Sequence, residues 1–528
     1  MMPVQRRTLA GRAALLTGML AAVAIALPGA ADAATPLPGS DTGTVGTPAS
    51  GVAADGTVRG LIDAHNHVFA QEAFGGRMIC GKVFHPAGVA AALKDCPDHG
   101  TDGSTAVVEN LLRNGSPFGT HDTTGWPTFK DWPAPDSLTH QQDYYAWLER
   151  AWRGGLRIMV NDLVANRQLC ELYWLKQNSC NEMDTIRLEA QRTRELQAFI
   201  DAQYGGTGKG WFRIVYSPAE ARAVIAQGKL AVVLGIETSE PFGCRQFIGL
   251  PLCSQSDIDR GLTEAYNLGV RSMFVCHKFD NALCGVRFDS ETQGSIVQVG
   301  NLLGSLTTWD VETCTGPAHD NTVQGSTVPT PHCNKKGLTS LGEYMIRGMM
   351  RRHMIVEIDH MSVKAAARTL DILEAARYPG VISSHSWEDT TYLPRIYALG
   401  GMVTQYGNPS AEFVAEWQRT KPVRAQYGVK GYGFGMDSNG FGAQPHVRPN
   451  NSGNPVRYPF TSLDGSVTLN RLTTGQRTWD VNVDGVSNYG LVPDWVQDLR
   501  VLGGQALADE LLMGPEQYLR TWEGATRT

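Results

Sequence analysis

Five short apolar runs in this 528-residue chain each end on a histidine or a carboxylate: GLIDAHNH, LAVVLGIE, MIVEIDH, GVISSHS and GYGFGMD. The residues at those ends are His65 and His67, Glu237, His360, His385 and Asp437. One such ending is ordinary, because a lone histidine after a strand is usually a structural polar residue at a loop start. Core packing does not explain five that mix imidazole with carboxylate. Neutral imidazoles and carboxylates suit zinc and related divalent ions, and catalytic centres keep one coordination position open for water. The set points to a metal-dependent hydrolase, and it constrains the fold, which must bring these ends together.

From Arg59 onward, β-rich runs alternate with helical stretches. Candidate strands begin near Gly60, Leu156, Leu230, Val270, Met354, Gly380, Gly401 and Gly431. Candidate helices cover 184–202, 218–227, 257–268, 340–352 and 363–377. Strand-helix alternation predicts an α/β fold with a parallel sheet, and eight strands are what a (β/α)8 TIM barrel needs. An open doubly wound sheet is the competitor, but no G-x-G-x-x-G follows the first strand. Length alone would allow three domains, yet such barrels can exceed ~400 residues with insertions. The reading is therefore one barrel domain over 58–528, with loop insertions near 71–139, 289–336 and 441–484. Each insertion follows a strand that ends in a candidate functional residue, which places it over the catalytic face. Plain surface decoration is the alternative.

Residues 1–33 have the form of an export signal. Arg6 and Arg7 give a positive start, Ala13 to Leu27 are nearly all apolar, and Ala31-Asp32-Ala33 offers a cleavage site. The apolar run is short and alanine-rich for a membrane span, so no stable anchor is expected after cleavage, although an uncleaved anchor is the alternative. The Arg-Arg pair leaves Sec and twin-arginine routes both open. Residues 34–57, rich in Thr, Pro, Gly, Ser and Ala, read as a disordered linker. The formal charge of −6 and the lack of a basic block argue against nucleic acid as a partner. Ten cysteines suit an exported, secreted protein. Pairing neighbours is the simplest of many connectivities: 80 with 96, 170 with 180, 244 with 253, 276 with 284, and 314 with 333. A zinc-thiolate reading lacks any C-x-x-C.

His65 and His67 are two apart, and strand side chains alternate faces, so both can reach one ion. Glu237 closes another strand with a carboxylate able to bridge two cations through its two oxygens. His360 and His385 end consecutive strands and would face a shared opening. Asp437 could accept a proton from activated water and return it to a leaving group, with metal coordination not exclusive of that role. Glycines 431, 433, 435 and 440 permit close backbone approach around it. The other histidines (85, 99, 121, 140, 319, 332, 353 and 446) read as surface or structural residues.

These segments together resemble the membrane dipeptidase (renal dipeptidase) family of metallopeptidases, a branch of the amidohydrolase-type barrels. DAHNH is similar to the family's first metal motif, KLAVVLGIE to its bridging-glutamate strand, and FVCHKFDNALCG to the segment with its substrate-binding histidine. VEIDHMS followed by VISSHS resembles its paired metal histidines, and GFGMDSNG its last aspartate motif. VSNYGLVPDWVQDLRVLG and GPEQYLRTW resemble its C-terminal helices, so the likeness runs in order through most of Arg59–Trp522. It implies two divalent ions, zinc by preference: His65, His67 and Glu237 on one, and Glu237, His360 and His385 on the other. Asp437 would be the acid-base, and His277 would be catalytic by orienting the substrate carbonyl or its oxyanion. Arg395 would bind a substrate carboxylate, with an exposed surface arginine as the alternative.

Two departures stand out. The family's first motif usually reads His-x-Asp where this chain has His67, which removes a negative charge. The insertions also exceed what a compact dipeptidase needs. The expectation is a secreted hydrolase cleaving a dipeptide or small amide by attack of a hydroxide between the two ions, with a homodimer as an open assembly. The same centre acting on a lactone, phosphoester or other amide is the first alternative. A non-catalytic binding protein on this scaffold is the second.

Overall fold

We describe a computed structural model of the chain, covering residues 37, 39–96, 99–121, 133–289 and 291–527. The expected export signal lies outside these described residues. Eight parallel staves form the centre. They are β1 (Leu61–Asn66), β2 (Leu156–Ala165), β3 (Leu230–Thr238), β4 (Val270–Phe274), β5 (Ile355–Glu357), β6 (Val381–Ser383), β7 (Met402–Val403 and Gln405–Tyr406) and β8 (Phe434–Gly435). Each pairs with its sequence neighbour. The circuit closes because the two halves of β7, interrupted at Thr404, face β6 on one side and β8 on the other, while β8 pairs with β1. This is the expected (β/α)8 barrel, and every stave starts at or within a few residues of its predicted position. An additional short strand, Phe212–Ile214, pairs along the first part of β3.

The strands are apolar runs because both of their faces are covered. Every residue of LRIMVNDLVA in β2 and of LAVVLGIET in β3 is buried, as expected for parallel strands with helices outside and a packed interior. Period-2 alternation divides them. Ile158, Val160, Ala231 and Val233 join Ile62, Ala64, Ile355, Ile382 and Met402 in one interior cluster, closed below by Tyr518, Leu519 and Trp522 of the last helix. Met159, Leu163, Val232, Leu234 and Ile236 belong to the larger cluster that includes residues of the surrounding helices.

Polar groups take over the interior at the C-terminal end of the staves. Asp162 continues the parity of Ile158 and Val160, and Glu237 continues that of Ala231 and Val233. In β1 a register shift between Asp63 and Asn66 changes the parity. That bulge allows His65 and His67 to face inward above Ala64. The narrowest crossing is at β8, where Gly433 and Gly435 face the interior. A Cβ on Gly435 would stand 2.3 Å from the Ser384 carbonyl oxygen, 2.9 Å from His65 Cβ and 3.1 Å from His385 Cβ.

The five neighbouring cysteine pairs are all disulfides. The insertions are ordered in their described parts. Two small antiparallel sheets in the 441–484 insertion recruit Ser40–Asp41 and Thr44–Gly46 as strands. For its described residues 39–57, this corrects the reading of a disordered linker over 34–57. Low local hydrophobicity hid a segment whose backbone groups are satisfied by pairing with a distant part of the chain. Arg150 fastens the arrangement. Its guanidinium donates to both oxygens of Asp494 (2.9 and 2.8 Å), to the Gly490 carbonyl and to the Thr42 carbonyl, while the Tyr458 hydroxyl donates to Asp494. Among the described residues no helix is long and apolar enough to cross a membrane.

Both Arg150 and Asp494 are fully buried. Replacing Arg150 by Met strands a carboxylate in the interior, and denaturant unfolding should register a loss of ~3–5 kcal/mol. A loss under ~1 kcal/mol would mean that the pair is not what fastens the N-terminal segment. Gly435→Ala should leave the circular dichroism spectrum unchanged yet weaken divalent-ion affinity by about 10–100-fold, as displaced support of a ligand does. Unaltered affinity would show that the close crossing at β8 is relieved elsewhere.

Candidate metal centre

The stave ends bring six of the eight predicted site residues into one buried group, with His277 at its edge. His65 Nε2 lies 3.1 Å from His67 Nε2, and His360 Nε2 lies 3.0 Å from His385 Nε2. Glu237 stands between the two pairs. Its Oε1 is 3.4 Å from His360 Nε2 and 3.7 Å from His65 Nε2, and its Oε2 is 3.3 Å from His67 Nε2 and 3.5 Å from His277 Nε2. Asp437 Oδ1 is 3.1 Å from His67 Nε2 and 3.6 Å from His65 Nε2. Donor atoms that share one tetrahedral zinc ion at ~2.0–2.1 Å sit roughly 3.3 Å apart. The observed separations match that spacing on both sides of Glu237.

The far nitrogens of the rings are held from behind. His67 Nδ1 donates to the Asp162 carbonyl oxygen (2.8 Å), which leaves Nε2 as the lone pair directed inward. His385 Nδ1 is 2.8 Å from Asp359 Oδ2, and His65 Nδ1 lies 3.0 Å from Ser384 Oγ and 3.3 Å from Asp162 Oδ2. Such outer partners fix tautomer and ring orientation in metal sites. Glycine makes room for them: a Cβ on Gly235 would fall 1.8 Å from Asp162 Oδ1, and one on Gly440 would fall 1.7 Å from Asp437 Oδ1. His360 and Asp437 both adopt positive φ, 65° and 50°, a conformation rare outside glycine and concentrated at functional sites.

Burial and mutual charge set the protonation. Burial pushes the Glu237 carboxyl up, but His277, His65 and His360 outweigh it and hold it well below the usual carboxylate range. Asp437 behaves alike: burial raises it, and His65 and His67 bring it far down. His65 is lowered by burial and raised more by Glu237, Asp437 and Asp162, reaching about 9. Burial, helped by the Lys278 ammonium, takes His360 down to about 4. The centre thus combines anionic carboxylates with two imidazoles held protonated, His65 and His67, and with a neutral His360, and divalent cations can take the place of those protons. Glu237 Oε1 is buried without a hydrogen-bond partner, as a ligand atom awaiting a cation would be. The donor set fits divalent ions of the zinc class.

Arg395 is not brought to this centre. It sits on the helix Leu393–Leu399, where its guanidinium pairs with Glu374 and Asp371 at 2.7 Å. These partners engage the arginine within the helical shell, in keeping with the surface-arginine alternative and not with a substrate clamp. Lys278 was not singled out from the sequence. Its ammonium is 2.9 Å from Asp289 and 5.4 Å from the centre of the Trp387 ring, itself 5.5 Å from the His360 ring. Adjacency to His277 was the signal that could have found it. A second oversight concerns His99, His121 and His140, expected as surface or scattered structural residues. They are buried together in the first insertion.

Residues 305–392 match the model of the family described as membrane dipeptidase (peptidase family M19). No curated protein sequence matches significantly. Solved structures similar to the chain include an amidohydrolase from Pseudomonas aeruginosa (14% identity, TM-score 0.40, covering 72% of this chain and 92% of that one). Another is a metallopeptidase from Rhodobacter sphaeroides liganded with a phosphinate mimic of L-Ala-D-Ala (12%, 0.44, 88% and 99%). A third is a family M19 metallopeptidase, dipeptidase AC (14%, 0.42, 72% and 88%). The matched segment is narrower than the ordered resemblance in the sequence, but it carries both His360 and His385. Joined to the buried donor set around Glu237, it supports a metal-dependent hydrolase whose residues 305–392 are similar to the membrane dipeptidase family.

Proposed function

We propose that this hydrolase is an exported dipeptidase-like enzyme with two divalent ions, zinc by donor chemistry, sharing Glu237. His65 and His67 would complete one side, and His360 and His385 the other. The observation that carries the reading is the disposition of Glu237, whose Oε1 lies near one histidine of each pair, His65 and His360, while its Oε2 lies near His67. Bound there, two ions supply Lewis acidity toward a scissile carbonyl and lower the pKa of water.

The chain's own groups account for the rest. Asp437, held anionic at the mouth, accepts the proton of the attacking water and passes it to the leaving amine. His277, 3.5 Å from Glu237, presents Nε2 toward the oxygen that gains charge. Lys278 replaces Arg395 as the partner for the carboxylate end of a dipeptide, because it adjoins His277 and its ammonium, while paired with Asp289, lies 5.4 Å from the centre of the Trp387 ring that borders His360. Five disulfides support an oxidising compartment and hence export.

Assays on a panel of L,L- and L,D-dipeptides beside ester and phosphoester analogues, before and after chelation, test the substrate class. Metal-dependent turnover confined to the dipeptides is expected, and turnover confined to the esters would redirect the reading. Asp437→Asn should keep its bound metal while kcat drops by roughly 10²–10⁴-fold. Full turnover in that variant would remove Asp437 from the mechanism. Lys278→Met should raise KM for dipeptides about 10–100-fold, the scale of one charged hydrogen bond, with the metal retained. An unchanged KM would place the carboxylate contact on another residue.

A further inference from the structure

A second cluster of metal-ligating side chains lies in the insertion between β1 and β2. His99 follows Cys96, Glu109 stands in the first turn of the helix Val107–Asn114, His121 follows that helix, and His140 begins the return to the barrel. All four are at least 96% buried. His99 Nδ1 is 2.9 Å from His121 Nε2, and Glu109 Oε2 is 3.5 Å from His140 Nε2 and 4.0 Å from His99 Nε2. One ligand atom from each lies within 4.8 Å of all the others. The 2.9 and 3.5 Å separations bracket the ~3.3 Å expected between donors on one tetrahedral zinc ion, whereas the 4.0 Å one runs to the ring nitrogen of His99 that faces Thr139.

The surroundings have the character of a built site. His99 Nε2 lies 3.2 Å from Thr139 Oγ1, and that hydroxyl donates to Glu109 Oε2 at 2.6 Å. The chain of donors leaves His99 Nδ1 as a lone pair facing His121, the arrangement by which outer partners set a ligand's tautomer. Glu109 Oε1 is buried with no hydrogen-bond partner, the nearest cation being Arg113 at 3.7 Å. Gly103 packs so closely that a Cβ there would fall 2.2 Å from His121 Nδ1. Burial also keeps His99, at about 3, and His140 in the neutral form that binds metal. The Cys80–Cys96 disulfide adjoins the group, with sulfur atoms 3.3 and 3.5 Å from His140 Nδ1, and His140 Nε2 faces Glu109 Oε2.

We propose that His99, Glu109, His121 and His140 bind a structural divalent ion of the zinc class, separate from the catalytic centre. A site built of four protein donors stabilises fold rather than chemistry. Its leverage on the barrel is short. Gln141, next to His140, donates to the Val68 carbonyl and accepts from Asn439, whose amide also donates to the His67 carbonyl oxygen. An ion here pins the insertion to the strand end that carries His65 and His67.

Metal analysis of the whole protein is the test, comparing wild type with Glu109→Gln and His121→Asn. One ion fewer per chain in each variant is expected, with the ions of the centre around Glu237 retained and the unfolding midpoint lowered. Equal ion counts in folded variants would overturn the proposal. Should the variants fail to fold, zinc-edge anomalous diffraction from wild-type crystals decides. A peak among these four side chains supports the site, and its absence at full zinc saturation overturns it. A thiol assay on the unreduced, denatured protein should find no free cysteine, whereas two thiols assigned to Cys80 and Cys96 would overturn the ligand set. Because the count is a difference between variants, it stands apart from whether the centre around Glu237 proves to be a dipeptidase.

Discussion

Six acidic and imidazole side chains share one dry barrel mouth, and the carboxylate of Glu237 makes that tolerable. Burying a charge without compensation costs several kcal/mol, and here the compensation is mutual: histidines of both pairs meet one anion. Remove Glu237 and the four imidazoles crowd together with nothing between them but Asp437 at one edge. The same disposition makes the mouth a receptor for cations. The buried group has its best partner in ions that bring more charge than the protons they displace.

The barrel exists to hold that geometry. Interior parity places Asp162 and Glu237 above a floor of Ile158, Val160, Ala231 and Val233. The bulge in β1 turns His65 and His67 inward, and Gly435 lets β8 pass close enough for His65 and His385 to meet across the opening. Each device is local, yet all converge within a few ångströms because parallel staves end on one face of the barrel. The insertions add hydrogen bonds from outside. Asn439, two residues beyond Asp437, joins the His67 carbonyl to Gln141 and Asp143.

The sequence made the staves legible because apolar runs broken by glycine and helix patterns carry a strong signal, and the polar residues at their ends stood out against them. It left Arg395 open between a substrate clamp and a surface arginine, since an arginine on an amphipathic helix looks the same whether its partner is a substrate or Glu374. Residues 40–46 were misread for a different reason. Their pairing with 467–474 is non-local, and composition cannot register a partner some 430 positions away. His99, His121 and His140 escaped notice because they sit in loops without strand periodicity, spaced too irregularly for a motif. Only tertiary folding brings them together.

The central claim is that one carboxylate, Glu237, is shared by two ions. Electron paramagnetic resonance of the protein loaded with Mn(II) tests it directly, because two ions bridged by a carboxylate are spin-coupled. The account predicts a coupled signal in wild type that disappears in Glu237→Ala. A wild-type spectrum made up wholly of isolated, uncoupled ions at full loading would contradict it.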